Sequence, residues 1–227
     1  MSRLSTGRRW ELEKYPLTVV AFLGLAALLT SWTHEQRYHL LQEGGLVEGA
    51  TVLGYLVVVA YVATALWSQQ RWRSVSLGLI PLYMAMRELD FDKRFVEGSV
   101  LRGSFYLGPS SWQTKLMAAT AVGILIWACW RAFRDHVVPI VRSGQAAWAW
   151  VGGASFLFLL VVSKSLDGAV RKLSDWTGSS RDEIAAALPV LRDAYVFEEI
   201  LELGLPLVML LLLVDYRRRK IPSTNSE

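Results

Sequence analysis

The chain holds one cysteine, Cys129, so it forms no intrachain disulfide and no cysteine-based metal cluster. Charge is sparse, at 19% of residues. No low-complexity or long polar linker interrupts the sequence, which predicts a single domain over residues 1–227. The motifs G-x-S-x-G, G-x-x-x-x-G-K-[ST] and H-E-x-x-H are missing. Their absence removes the sequence support for a serine triad, an ATP-driven machine and a classical zinc protease. Strictly alternating apolar and polar residues are missing too, which disfavours a β-barrel.

What is present is apolar. Hydrophobic residues make up 53% of the chain, and the mean hydropathy is +0.31. Long uncharged runs recur six times. This predicts an all-α polytopic membrane protein, a six-helix transmembrane bundle. The spans are expected near residues 16–32, 46–67, 74–92, 112–130, 146–164 and 195–215. Pro16 suits the first turn of span 1. Arg3, Arg8, Arg9 and Lys14 precede an apolar run with no small-x-small cleavage site, which reads as an uncleaved first span. Tryptophans at many span ends form an interfacial belt. Cys129 lies within span 4 and reads as a small buried residue.

The net charge of +4 is no sign of nucleic-acid binding, because the basic residues flank the apolar runs. Thirteen Lys and Arg fall on one side: Arg3, Arg8, Arg9, Lys14, Arg71, Arg73, Arg131, Arg134, Arg142, Arg217, Arg218, Arg219 and Lys220. That side is read as cytoplasmic, with both termini inside. His136 stands among these arginines and reads as a surface residue.

Two spans are too short on apolar residues alone. In span 6 the uncharged run covers residues 203–214, about 18 Å of a hydrocarbon core about 30 Å thick. To cross, the helix must recruit a turn or two that carries Glu198, Glu199 and Glu202. Span 3 has the same defect and must draw in Arg87, Glu88 and Asp90. Both acidic stretches, with Glu48 at the start of span 2, fall on the outer side. Charges inside a membrane are expensive and mark candidate sites.

Glu198 and Glu202 share a helix face at i, i+4, and like charges there need a cation. The bland account is a pair with Arg87, Lys164 or Arg171 that only orders the bundle; Lys164 and Arg171 are the favoured partners. The sharper account is a pocket in the outer half of the bilayer. There Glu48, Glu88, Glu198, Glu199 and Glu202 would be ligands of a divalent metal ion, and Glu198, Glu202, Asp90 and Arg87 would be catalytic. Arg87, Lys164 and Arg171 would bind the substrate, since guanidinium suits phosphate. Asp167 and Arg171, at i, i+4, read as a simple pair. Glu35, His39 and Glu43, at i, i+4 and i+8 with His34 nearby, could ligate zinc only weakly without a zinc motif. Ser180-x-x-Glu183 is a capping box opening a short amphipathic helix.

The stretch Glu43-Gly44-Gly45-x-Val47-Glu48, followed by Arg87-Glu88-Leu89-Asp90-Phe91, resembles a pattern of uncharacterised bacterial multispanning inner-membrane proteins. The resemblance covers spans 2 and 3. It implies a bacterial plasma membrane and a site facing the periplasm or exterior, and it carries no activity. Glu198-Glu199 also superficially resembles the paired glutamates of intramembrane CAAX-type proteases, but the arginine and later histidines of that class are missing. Three readings follow: a metal-dependent enzyme on a lipid or lipid-linked substrate, an ion-coupled transporter, and a non-catalytic assembly protein. The partners expected are the lipid bilayer and a lipid substrate, and no nucleic acid.

Overall fold

The computed structural model describes residues 6–33, 36, 40–41, 45–66, 71–89, 91, 103–144, 146–166, 172–173, 176–178 and 193–219. Helix accounts for 90% of the structure, and no strand occurs among the described residues. In chain order the helices are α1 (Thr6–Thr30), α2 (Leu46–Tyr61), α3 (Arg71–Glu88), α4 (Gly103–Leu107), α5 (Trp112–Ala132), α6 (Val138–Arg142), α7 (Ala147–Leu166) and α8 (Ala194–Arg218). Turns of π-helix, Val62–Leu66 and Phe133–Val137, follow α2 and α5.

Four segments are long and apolar enough to cross a membrane: Leu12–Thr30, Leu46–Leu66, Trp112–Arg142 and Ala147–Leu166. They overlap the expected spans 1, 2, 4 and 5, but the third continues as helix to Arg142, where the sequence reads a basic loop after residue 130. The long helices outside that set are α3 and α8, whose apolar runs the sequence already marks as short. Charge is the reason in α8: Glu198, Glu199 and Glu202 at one end and Asp215, Arg217 and Arg218 at the other leave no eighteen-residue apolar window. Yet α8 is one continuous helix of 25 residues, about 37 Å long. It takes up its acidic turns without a break.

Two expectations are corrected along the way. Helix α1 begins at Thr6, so Pro16 stands inside it rather than in its first turn. The proline cannot donate the usual N–H, and one intrahelical bond is lost there. Cys129 is exposed on α5, not buried, because the buried face of that helix carries the smaller Ala118, Ala128 and Ala132.

The chain groups into two compact units. The first holds Met1–Thr51 and Ala147–Leu212, and the second Val52–Ala146 and Leu213–Glu227. In the first unit α1 packs along α7. Two glycines fix the register. A Cβ on Gly152 of α7 would meet Leu212 of α8 and the Tyr15 ring of α1 at 2.9 Å. A Cβ on Gly204 of α8 would meet Leu159 of α7 at 3.1 Å and Phe22 of α1 at 3.2 Å. Tyr15, Gly152 and Leu212 therefore share one level, and Phe22, Leu159 and Gly204 another. Numbers rise together in α1 and α7 and fall in α8, so α1 and α7 run the same way and α8 runs against them. Beyond the second level, Ala26, Leu29, Leu41, Val47, Val196 and Ile200 close an apolar cluster.

In the second unit α3 packs against α5. The fully buried Ser74 hydroxyl donates to the Leu66 carbonyl at 3.1 Å, satisfying the end of the first π turn. Ser111 caps α5 by accepting from the Thr114 N–H at 3.2 Å.

The glycine contacts give a contrast to test. Gly152→Val should lower the thermal midpoint in detergent, because overpacking costs about 1–3 kcal/mol. Gly24→Ala, on α1 with nothing within 4 Å of the new Cβ, should leave the midpoint unchanged or raise it, since alanine favours helix. Equal effects of the two would sink the register.

Candidate functional site

The acidic end of the first unit is built by three helices. Glu48 stands in the first turn of α2, half-buried, where its charge suits the helix dipole. Val47 beside it joins the apolar cluster that also holds Val196 and Ile200 of α8. Glu198 and Glu199, half-buried, flank Ile200 in sequence on the same helix. Glu202 is buried, at 4% exposure. Lys164, in the last turn of α7, forms an ion pair with the Glu202 carboxylate. Lys164 is one of the two cations the sequence favours for span 6.

The local reasons are plain. Glu202 lies two residues before Gly204, the small residue that lets Leu159 and Phe22 approach α8. Glu202 is itself shut away from water, and its charge must be met within the protein. Lys164 is five residues beyond Leu159 and reaches Glu202 with its long stem. The ammonium side chain keeps 32% exposure against 6% for the glutamate. One partner is thus wet and the other dry.

Arg87 and Glu88 end α3, in the second unit, and pair with each other at 2.5 Å. Asp90, Asp167 and Arg171 lie outside the described residues, as do His34, Glu35, His39, Glu43 and the capping box at Ser180 and Glu183. Among the described residues, no three His, Cys, Asp or Glu stand close enough together to hold a metal ion.

Compared with protein-family models, curated proteins and solved structures, the chain matches none of them.

One polar contact was not legible in the sequence, and it overturns the surface reading of His136. That residue is buried at 5% exposure. Its Nδ1 lies 2.9 Å from the Tyr216 hydroxyl, with the two rings edge to face. The partners are 80 residues apart, so no local spacing announces them. His136 lies within the π turn Phe133–Val137, whose wider turn departs from the 3.6-residue period by which the sequence is read.

The ion pair makes a direct prediction. Lys164→Met leaves a buried carboxylate without its cation and should cost about 1–3 kcal/mol of stability. Adding Glu202→Leu should recover most of that loss. A double variant as unstable as the sum of the two single variants would show that the residues are not coupled.

Proposed function

We propose that the chain is a six-span integral membrane protein of a bacterial inner membrane, with both termini in the cytoplasm. We further propose that the acidic end of its first unit is a site in the outer half of the bilayer for a lipid or lipid-linked substrate. The observation that carries the site is the dry Glu202 paired with Lys164, with half-buried Glu198 and Glu199 on the same helix end.

Chain direction supports six crossings. Helices α1 and α7 run the same way. If both cross a membrane, an odd number of crossings must separate them. The apolar candidates between them are Leu46–Leu66 and Trp112–Arg142, an even number. Helix α3, of 18 residues or about 27 Å, supplies the odd one. Antiparallel α8 then makes the sixth. An even total puts both termini on one side, and the basic flanks make that side the cytoplasm.

The chemistry follows from exposure. Glu202 is neutralised and closed off, which suits positioning. Glu198 and Glu199 keep partial exposure and can accept hydrogen bonds from hydroxyl or amine groups of a headgroup, or take a proton as a general base. A divalent metal ion held by these carboxylates would supply an activated water for an enzymatic step on such a substrate.

A second reading is favoured by the same ion pair: a non-catalytic membrane assembly protein in which the charges only order the bundle. A carrier draws less support, since residues 203–214 of α8 bear no charge to continue a polar path.

Two measurements test the proposal. In a Cys129→Ala background, Thr33→Cys should react with an impermeant thiol reagent from outside, and Ser143→Cys only after permeabilisation. Labelling of both from one side would remove the topology. Native mass spectrometry of protein extracted from membranes should show a bound lipid that Glu198→Gln/Glu199→Gln loses while its thermal midpoint holds. An unchanged lipid complement in that variant would leave the assembly reading in place of the site.

A further inference from the structure

The second unit has its own polar end, built on a different plan. After α5, the π turn Phe133–Val137 turns His136 inward and leaves Phe133, Arg134 and Val137 exposed. The His136–Tyr216 contact, 2.9 Å between Nδ1 and Oη, pins the last turns of α8 to this segment. The two acids here are hidden: the Asp135 side chain is 9% exposed, and Asp215 is 3% exposed. Asp135 takes two guanidiniums at once, Arg131 at 2.8 Å and Arg134 at 3.0 Å. One carboxylate against two arginines leaves a positive excess. Arg134, Arg142, Arg217 and Arg218 are all exposed. The charge shown outward is that of guanidinium.

Depth places this surface at headgroup level. The segment Trp112–Arg142 has 31 residues, about 46 Å as helix against a core about 30 Å thick. Trp112 is exposed at one end, and Trp127, Trp130 and Phe133 are exposed some 22–32 Å further on, at roughly one core thickness. Residues from Arg134 onward then emerge from the hydrocarbon. A topology signal requires only a number of Lys and Arg on one side. It requires neither that the acids be buried nor that α8 be clasped to the π turn so that two arginine-bearing segments meet.

We propose that this basic end is a docking surface for anionic phospholipid headgroups, with phosphate held by Arg134, Arg142, Arg217 and Arg218. Guanidinium binds phosphate oxygens through paired N–H donors, and a desolvated interface strengthens the bond. The proposal rests on the membrane-spanning reading of α5 and α8 and is independent of the acidic end.

The test uses the full chain reconstituted into nanodiscs of equal phosphatidylglycerol and phosphatidylcholine, with the lipids retained on extraction counted by mass spectrometry. The wild type should enrich phosphatidylglycerol, and high salt should reduce the enrichment. Arg134→Gln/Arg217→Gln/Arg218→Gln should weaken retention by about tenfold or more. If the triple variant fails to fold, Arg142→Gln/Arg218→Gln should show a smaller loss in the same assay. No enrichment in the wild type, or an unchanged ratio in the variants, overturns the docking surface. A chain that does not enter nanodiscs overturns the membrane-spanning reading instead.

Discussion

A dry carboxylate is the constraint on which the first unit depends. Glu202 of α8 is buried, at 4% exposure. An ionised carboxylate taken out of water costs several kcal/mol unless it is met by a cation. Lys164 meets it from α7. The pair therefore ties together elements that apolar packing alone would hold only loosely in register. In lipid this matters more than in water, because apolar side chains are as much at home against lipid tails as against one another. Glycine contacts set how near the helices come. The ion pair sets which turn faces which.

The sequence carries the long elements well, for a physical reason. A span must be about 20 apolar residues long, and that length requirement prints itself on Leu12–Thr30, Leu46–Leu66 and Ala147–Leu166, while Trp112–Arg142 runs on past it. Even the defect in span 6 was readable: an uncharged run of 203–214 is too short, and the helix does extend back through Glu202, Glu199 and Glu198 to Ala194. The pairing of Lys164 with Glu202 was readable as one of three options, because a buried acid needs a cation and few lie within reach. The choice among them was not, since it depends on the facing of α7 and α8.

What escaped the sequence has a common cause. His136, Cys129 and Pro16 were each placed by their neighbours in the chain, and each is decided by something else. His136 lies inside a π turn that breaks the 3.6-residue period, and its partner Tyr216 is 80 residues away. Cys129 faces outward because alanines take the inner face of α5. Pro16 sits inside α1 because the helix continues beyond its apolar part to Thr6. Periodicity reports the average face of a helix. It does not report where the helix ends in polar residues, or where one turn is widened.

Helix α8 shows what the two kinds of polar end do together. It carries a buried carboxylate near each end, Glu202 and Asp215, both under 5% exposed, and roughly 20 Å apart along the axis. Purely apolar packing would tolerate sliding of such a helix by a turn, about 5.4 Å, because Leu205, Val208 and the leucines after it are nearly interchangeable in shape. Sliding would take Glu202 from Lys164 and Tyr216 from His136 at the same time. The axial position of α8 is thus set by its few polar residues together with the close contacts at Gly204 and Leu212, while its other apolar residues supply burial. That division explains why a helix can be rich in leucine and still occupy one place.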